Sequence, residues 1–219
     1  MRYLAIIPAF NEAETIAEVV RRVREILPDV VVIDDGSSDA TAQLARTAGA
    51  DVVSHCVNRG LGAALGTGMA AARMRSADIA ITLDADGQHD PAEIPTLIAP
   101  IASGDADLVI GVRSGGGAPF HRRVFHGIAN AMTRLLFGVR CSDTQSGFRA
   151  CSRRAMECIE IRTNRMEVSS EILAEAARHD LRVVEVPIRT IYTAYSLSKG
   201  QSFAVGIKTA WALLLRRLF

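Results

Sequence analysis

The sequence predicts an α/β fold: a mostly parallel central sheet held between two layers of helices. Two observations carry this. Short, continuously apolar runs such as residues 30–33 and 79–83 have the pattern of strands buried on both faces. Helical segments separate them, and strand–helix alternation is what a parallel sheet covered on both sides requires. The composition agrees. At 219 residues, 49% hydrophobic and 22% charged, the chain can bury one sizeable core.

The elements follow in order. Leu4 to Ile7 is a first strand ending at Pro8. Residues 14–27 read as a helix with Ile16, Val19, Val20, Val23 and Leu27 on one side and Asn11 ahead of it as cap. Residues 30–33 form the second strand, and residues 39–48 a helix capped by Ser38 or Asp39 and ended by Gly49. A strand over 51–56 and a small-residue helix over 61–74 come next. The fourth strand covers 79–83, and Pro91 opens a helix reaching residue 102. Residues 108–110 are the fifth strand. After Arg113, Ser114 to Pro119 reads as a loop and residues 120–137 as a basic amphipathic helix. A strand over 145–151, helices near 152–159 and 168–179, and a strand over 182–186 stopped by Pro187 complete the pass.

Charge divides the chain. Residues 1–112 hold 8 Lys/Arg against 16 Asp/Glu, and residues 113–219 hold 17 against 8. The acidic half suits a cation, and the basic half suits phosphate or an anionic membrane surface. The overall net charge of +1 argues against a dedicated nucleic-acid binder. Cys56, Cys141, Cys151 and Cys158 form no C-x-x-C pair and read as buried or free thiols of a reducing compartment. The sequence shows no secretory signal and no apolar run of about 18 residues.

Chemistry concentrates after three strands: Pro8-Ala9-Phe10-Asn11-Glu12, Asp34-Asp35-Gly36-Ser37-Ser38-Asp39, and Asp84-Ala85-Asp86-Gly87-Gln88-His89-Asp90. Ligands of open α/β sheets bind beyond the carboxyl ends of strands, where these clusters lie. Asp84 and Asp86 sit two residues apart at a strand end, and a divalent cation is the simplest way to keep both ionised. With the Gln88 amide they form an oxygen set suited to Mg²⁺ or Mn²⁺, ions that commonly accompany substrate phosphates. A plain polar turn would also carry such residues.

Taken together and in this order, the three clusters resemble the signature of family 2 glycosyltransferases. Asp84 to Pro91 and Thr144-Gln145-Ser146-Gly147-Phe148-Arg149 resemble the dolichyl-phosphate mannose synthase group, over roughly residues 3–200. The resemblance implies the GT-A fold, a Rossmann-like three-layer sandwich with amphipathic helices at its C-terminal end. It implies one domain over 1–219: a nucleotide-sugar and metal half (1–112), an acceptor half (113–200) and an amphipathic helix (201–219). The implied activity is metal-dependent, inverting transfer of mannose or another hexose from a nucleotide sugar, GDP- or UDP-linked, to a polyprenyl phosphate. The implied place is the cytoplasmic face of a membrane, held peripherally.

The resemblance also implies residue roles. Pro8, Phe10, Asn11, Glu12, Asp34, Asp35, Gly60 and Asp84 would bind the donor, with Asp35 on its base. Asp34 has an alternative role in ordering its turn, and Asp39 reads as a helix cap. Asp84, Asp86 and Gln88 would hold the metal. Asp86, Arg113 and Lys199 would serve catalysis, and Arg122, Arg123 and Ser198 the acceptor phosphate. Arg122 and Arg123 could equally lie on a solvated or lipid-facing helix surface. Gly60 and Gly62 belong to a glycine loop that either approaches the donor or packs a helix closely; their spacing with Gly66 is not G-x-G-x-x-G, which disfavours a dehydrogenase. Ala194 and Tyr195 stand where many relatives carry arginine before Ser-Lys. His89 reads as a turn or capping residue rather than a base, and His55 as structural. Residues 203–219 fit an interfacial helix, or one packed on the core or a second subunit. The rivals are a different acceptor, soluble or lipid, and a non-catalytic nucleotide-sugar-binding protein.

Overall fold

The computed structural model describes residues 1–113, 141–165, 167–189 and 191. The first half alternates strand and helix: β1 (Tyr3–Ala9), α1 (Ile16–Arg24), β2 (Val30–Asp34), α2 (Thr41–Thr47), β3 (Asp51–Ser54), α3 (Leu61–Met74) and β4 (Ile79–Thr82). A 3₁₀ turn (Pro91–Glu93) leads into α4 (Ile94–Ala102), then β5 (Leu108–Arg113). β6 (Arg149–Ser152), α5 (Arg153–Cys158), α6 (Val168–Arg178) and β7 (Val183–Ile188) follow.

The seven strands form one sheet in the order β3-β2-β1-β4-β6-β5-β7. Every neighbouring pair is parallel except the two made by β6, which runs antiparallel between β4 and β5. Alternation along β1 feeds two cores. Ala5, Ile7 and Ala9 pack with α1, α2 and α4; Leu4 and Ile6 pack with α3. α5 and α6 complete the second layer through Ala155, Met156, Ile172, Leu173 and Ala176. The result is the expected three-layer sandwich.

Local chemistry explains where elements differ from the sequence reading. Helix α1 starts at Ile16, and Asn11 is not its cap: Asn11 adopts φ 54° in the loop and accepts a hydrogen bond from the Ser38 N–H instead. The strand expected over 145–151 begins only at Arg149, because residues 143–148 make a tight loop. Pro187 does not stop β7. That strand is a sheet edge, where a missing N–H removes no ladder bond.

Close packing depends on small residues of α3. A Cβ on Gly68 would lie 2.3 Å from Ile6 Cγ2, so the helix sits directly on β1. At the opposite end of the sheet from the loops after β1 and β4, Asp107 accepts the Arg182 backbone N–H at 2.9 Å and its Nε at 3.0 Å, which ties β5 to β7. Among the described residues, no helix is long and apolar enough to cross a membrane.

Gly68→Ala should gain helix propensity yet destabilise the protein by about 1–3 kcal/mol, because Ile6 has no room to move. A lower Tm in thermal unfolding checks this, and an unchanged or raised Tm contradicts it.

Candidate active site

The order of strands fixes where a ligand can sit. From β1 the chain moves to β2 and β3 on one side; β4 then lies on the other side of β1. The loops leaving β1 and β4 therefore turn in opposite directions and open a crevice between them. The clusters at residues 8–12, 34–39 and 84–90 all border this edge. A fourth loop joins them. Since β6 is antiparallel, with Arg149 opposite Thr82, residues 143–148 enter from the same edge.

The loops after β1 and β2 are stitched to each other. The Asn11 N–H donates to Ser37 Oγ at 2.9 Å, and the Glu12 N–H to Thr41 Oγ1 at 2.8 Å. Buried Asp34 accepts the Ser37 N–H at 3.1 Å, which orders its own turn. Asp39 accepts the Thr41 N–H at 2.9 Å and the Ala13 N–H at 3.2 Å, so it braces both loops. Pro8 is half-buried next to the end of β1, ahead of buried Ala9, and Phe10 stands 43% exposed at the rim, a large apolar face open to a planar group. Asp35 is 3% exposed and accepts hydrogen bonds from the Gly60 N–H at 2.6 Å, the Arg59 N–H at 2.9 Å and His55 Nδ1 at 2.7 Å. His55 Nε2 meets Thr67 Oγ1 at 2.9 Å.

Gly60 and Gly62 are needed for packing. Gly60 has φ +97°, and a Cβ there would lie 2.2 Å from the Asn164 carbonyl oxygen; at Gly62 the Thr163 oxygen would be 1.9 Å away. The Gly62 N–H donates to Asn164 O at 2.9 Å. That segment is in turn fixed by buried Glu171, which accepts the Thr163 N–H at 2.9 Å.

The acidic loop is crowded. Burial raises the Asp84 carboxyl pKa, opposed by the charges of Arg113 and Arg149. Burial also raises that of Asp86, and the neighbouring Asp84 charge adds to it. Glu12 raises both further, which places a third acidic charge in reach of the pair. Gln88 supports Asp86 twice, its N–H donating at 3.0 Å and its Nε2 at 2.7 Å. Among the described residues, no three His, Cys, Asp or Glu side chains converge on one centre. Two carboxylates and an amide nonetheless fit an ion such as Mg²⁺, which takes one or two carboxylates and completes its shell with phosphates and water.

His89 lies beneath this loop. It is buried and stacked on Phe148 with centroids 5.0 Å apart, and its Nδ1 accepts the Asp84 N–H at 3.2 Å. Burial pushes its pKa down to about 4, so it is neutral at pH 7 and positions the loop. The cap of the 3₁₀ turn is Asp90, which accepts the Ala92 N–H and is held by Arg22 at 2.7 Å.

Three residues of the 143–149 loop gain importance from the structure. Asp143 takes the Arg113 fork bidentately, Nε and Nη2 each at 2.6 Å, and so fixes the arginine that the resemblance assigned to catalysis. Gly147 presses on Asp84: a Cβ there would lie 2.3 Å from Oδ1. Arg149 is 2% exposed, donates to Thr144 O at 3.0 Å, and has an Nε without a hydrogen-bond partner among the described residues. Arg149 closes the 144–149 motif of the sequence, and His55 reads there as structural; nothing local marked Asp143. Arg122, Arg123, Ala194, Tyr195, Ser198, Lys199 and the helix over 203–219 lie outside the described residues. Arg189 and Ile191 are anchored on the 3₁₀ turn and the acidic loop before it, with the Arg189 N–H on the Glu93 carboxylate at 3.0 Å and the Ile191 N–H on Gln88 O at 2.9 Å.

Residues 4–160 match the family model described as glycosyl transferase family 2. The chain is a family 2 glycosyltransferase. It is 34% identical to the UDP-N-acetylglucosamine–dolichyl-phosphate N-acetylglucosaminyltransferase of Methanococcus voltae, over 97% of this chain and 95% of the relative. It is 32% identical to the undecaprenyl-phosphate mannosyltransferase of Micrococcus luteus, over 99% and 96%. The structure is similar to glucosyl-3-phosphoglycerate synthase of Mycobacterium tuberculosis solved with Mn²⁺, UDP-glucose and phosphoglyceric acid, with TM-score 0.79, 25% identity, and coverage of 99% of this chain and 79% of that one. The family 2 glycosyltransferase fold expected from the motifs, GT-A, is therefore the fold present, and the family's members are sugar-transferring enzymes.

Three outcomes follow for this glycosyltransferase. Gly147→Ala should displace the Asp84 carboxylate and cut transfer on the order of 10²-fold, read by initial rates at saturating metal. Asp86→Asn should lose on the order of 10²–10³-fold in rate. The same change should raise the Tm of the metal-free protein by roughly 2 °C. The sign follows from linkage. With the Asp86 pKa raised above its ordinary 3.8, the fold binds that proton more tightly than the unfolded chain, and stability falls as pH rises through the raised value. A variant without the ionising group escapes that loss. A lower metal-free Tm at pH 7 would contradict the crowding argument.

Proposed function

We propose that this chain is a metal-dependent, inverting glycosyltransferase that moves a hexose, mannose or another, from a nucleotide sugar to a polyprenyl phosphate. What supports the metal dependence is the Asp84–Asp86 pair at the switch-point crevice, two carboxylates two residues apart with the Gln88 amide on Asp86. Relatives named as dolichyl- and undecaprenyl-phosphate transferases, aligned over nearly their whole lengths, support the acceptor.

The donor's nucleoside would lie across Pro8, Phe10, Asn11 and Glu12, with Asp35 accepting a ring N–H and Asp34 holding the turn beside it. Asp84, Asp86 and Gln88 would hold Mg²⁺ or Mn²⁺. When bound, the ion supplies Lewis-acid stabilisation of the departing nucleoside diphosphate. Arg113, oriented by its bidentate pair with Asp143, would bring a positive charge to the donor phosphates. Lys199, Ser198, Arg122 and Arg123 are the proposed partners of the acceptor phosphate. That phosphate is anionic at neutral pH, so no general base is assigned. Buried His89, neutral, keeps the backbone of Asp84 in place. Catalysis rests on positioning and electrostatics, and direct displacement inverts the anomeric centre.

The proposed organisation is a nucleotide and metal half over 1–112, an acceptor half over 113–200, and an amphipathic helix over 201–219 held peripherally on the cytoplasmic face of a membrane. A second reading, a small phosphorylated acceptor, is favoured by the likeness to glucosyl-3-phosphoglycerate synthase.

A radiolabelled transfer assay decides between them. With a panel of GDP- and UDP-sugars, polyprenyl phosphate and Mn²⁺, label should enter the organic phase from one donor. It should disappear with EDTA and with Asp86→Ala. Label confined to the aqueous phase with a phosphorylated small acceptor would replace the polyprenyl reading.

A further inference from the structure

The hydrogen-bonding capacity of Asp35 carries a conclusion about the donor's base. A carboxylate offers about four acceptor positions, two on each oxygen. Here Oδ1 takes His55 Nδ1 at 2.7 Å and the Arg59 N–H at 2.9 Å, while Oδ2 takes the Gly60 N–H at 2.6 Å. Since a carboxylate only accepts, His55 Nδ1 is the donor of its pair. One position on Oδ2 remains.

Each partner is built in. The Arg59 and Gly60 amides belong to the loop clamped on Asn164, and Gly60 tolerates no side chain there. His55 follows the end of β3, has a side chain only 9% exposed, and is held from behind by Thr67 of α3 at 2.9 Å. The plane of the Asp35 carboxylate is therefore fixed from three sides before any ligand arrives.

Bases differ in what they ask of such a group. Guanine presents two adjacent donors, N1–H and the N2 amine, and pairs with a carboxylate through both oxygens. Uracil presents a single donor, N3–H, between two carbonyls. Cytosine has no ring N–H on that edge. We propose that His55, by filling Oδ1 together with the Arg59 amide, makes Asp35 a single-acceptor reader that selects uridine-diphosphate sugars over guanosine-diphosphate sugars. His55 is a positioning and specificity residue that acts through Asp35. This rests on the reading of Asp35 as the base-binding group.

The test is calorimetric binding of UDP and GDP in the presence of Mn²⁺, with Mn²⁺-pyrophosphate as a probe of the phosphate half. The wild-type protein should bind UDP at least about tenfold more tightly than GDP. His55→Asn places an amide nitrogen where Nδ1 stood and should keep that preference. His55→Leu frees a position on Oδ1 and should narrow the preference to less than about threefold, with pyrophosphate binding unchanged. His55→Gln puts its nitrogen at the Nε2 position, leaves Oδ1 without its donor, and should repeat the His55→Leu result with a polar side chain.

Equal or tighter binding of GDP by the wild type would overturn the proposal, as would an undiminished preference in both His55→Leu and His55→Gln. Asp35→Ala separates the two levels. If it leaves UDP and GDP binding unchanged, the base-pocket reading itself fails. If it weakens nucleotide but not pyrophosphate binding while the wild type shows no preference for UDP, only the selection argument fails.

Discussion

Crowding of two carboxylates at the strand-order reversal is the constraint around which the structure is arranged. Asp84 and Asp86 would prefer water to this crevice, and burial raises both pKa values. The neighbouring parts serve to hold them there. Gly147, lacking a side chain, leaves room for the Asp84 carboxylate. Arg149 places a buried positive charge that acts on Asp84 from the next strand. Neutral His89 receives the Asp84 N–H from below. Gln88 braces Asp86 from the same loop. This crowding is what the proposed cation would relieve.

The antiparallel strand β6 makes that possible. A further parallel strand beside β4 would bring its own carboxyl end to the edge and send its preceding loop to the far side. Reversing β6 brings residues 143–148 to the crevice while Cys151 and Ala150 fill the two cores. The same loop then fixes Arg113 through Asp143. A single topological choice thus joins the acidic loop, its counter-charge and the Asp143-held guanidinium of Arg113.

The loops after β1 and β2 follow a different logic. Here the stitching is almost entirely backbone N–H to side-chain oxygen: Asn11 on Ser37, Glu12 on Thr41, Gly60 on Asp35. Small polar side chains satisfy loop amides that would otherwise be stranded near the sheet edge. Asp35 is the hinge pin of this network, since it gathers the end of β2, the residue after β3 and the glycine loop at one carboxylate.

Much of this was written in local sequence. Continuous apolar runs marked β1, β2, β4 and β5 because strands buried on both faces need them. The three acidic and polar clusters marked the edge because short loops after parallel strands must lie there. Other features depended on chain segments far apart. Asp143 and Arg113 are 30 residues apart, and Thr82 and Gly147 are 65 apart; neither spacing leaves a periodic trace. Asn11 looks like a helix cap until Ser38, 27 residues away, takes its side chain. The tolerance of β7 for Pro187 depends on being at an edge, which only the sheet order decides. By itself the sequence determined the elements, their layers and the acidic signature, since those rest on periodicity and loop chemistry. The tertiary structure alone decided which carboxylates are crowded, which are saturated and which charges face them, because burial and pairing are set by neighbours in space.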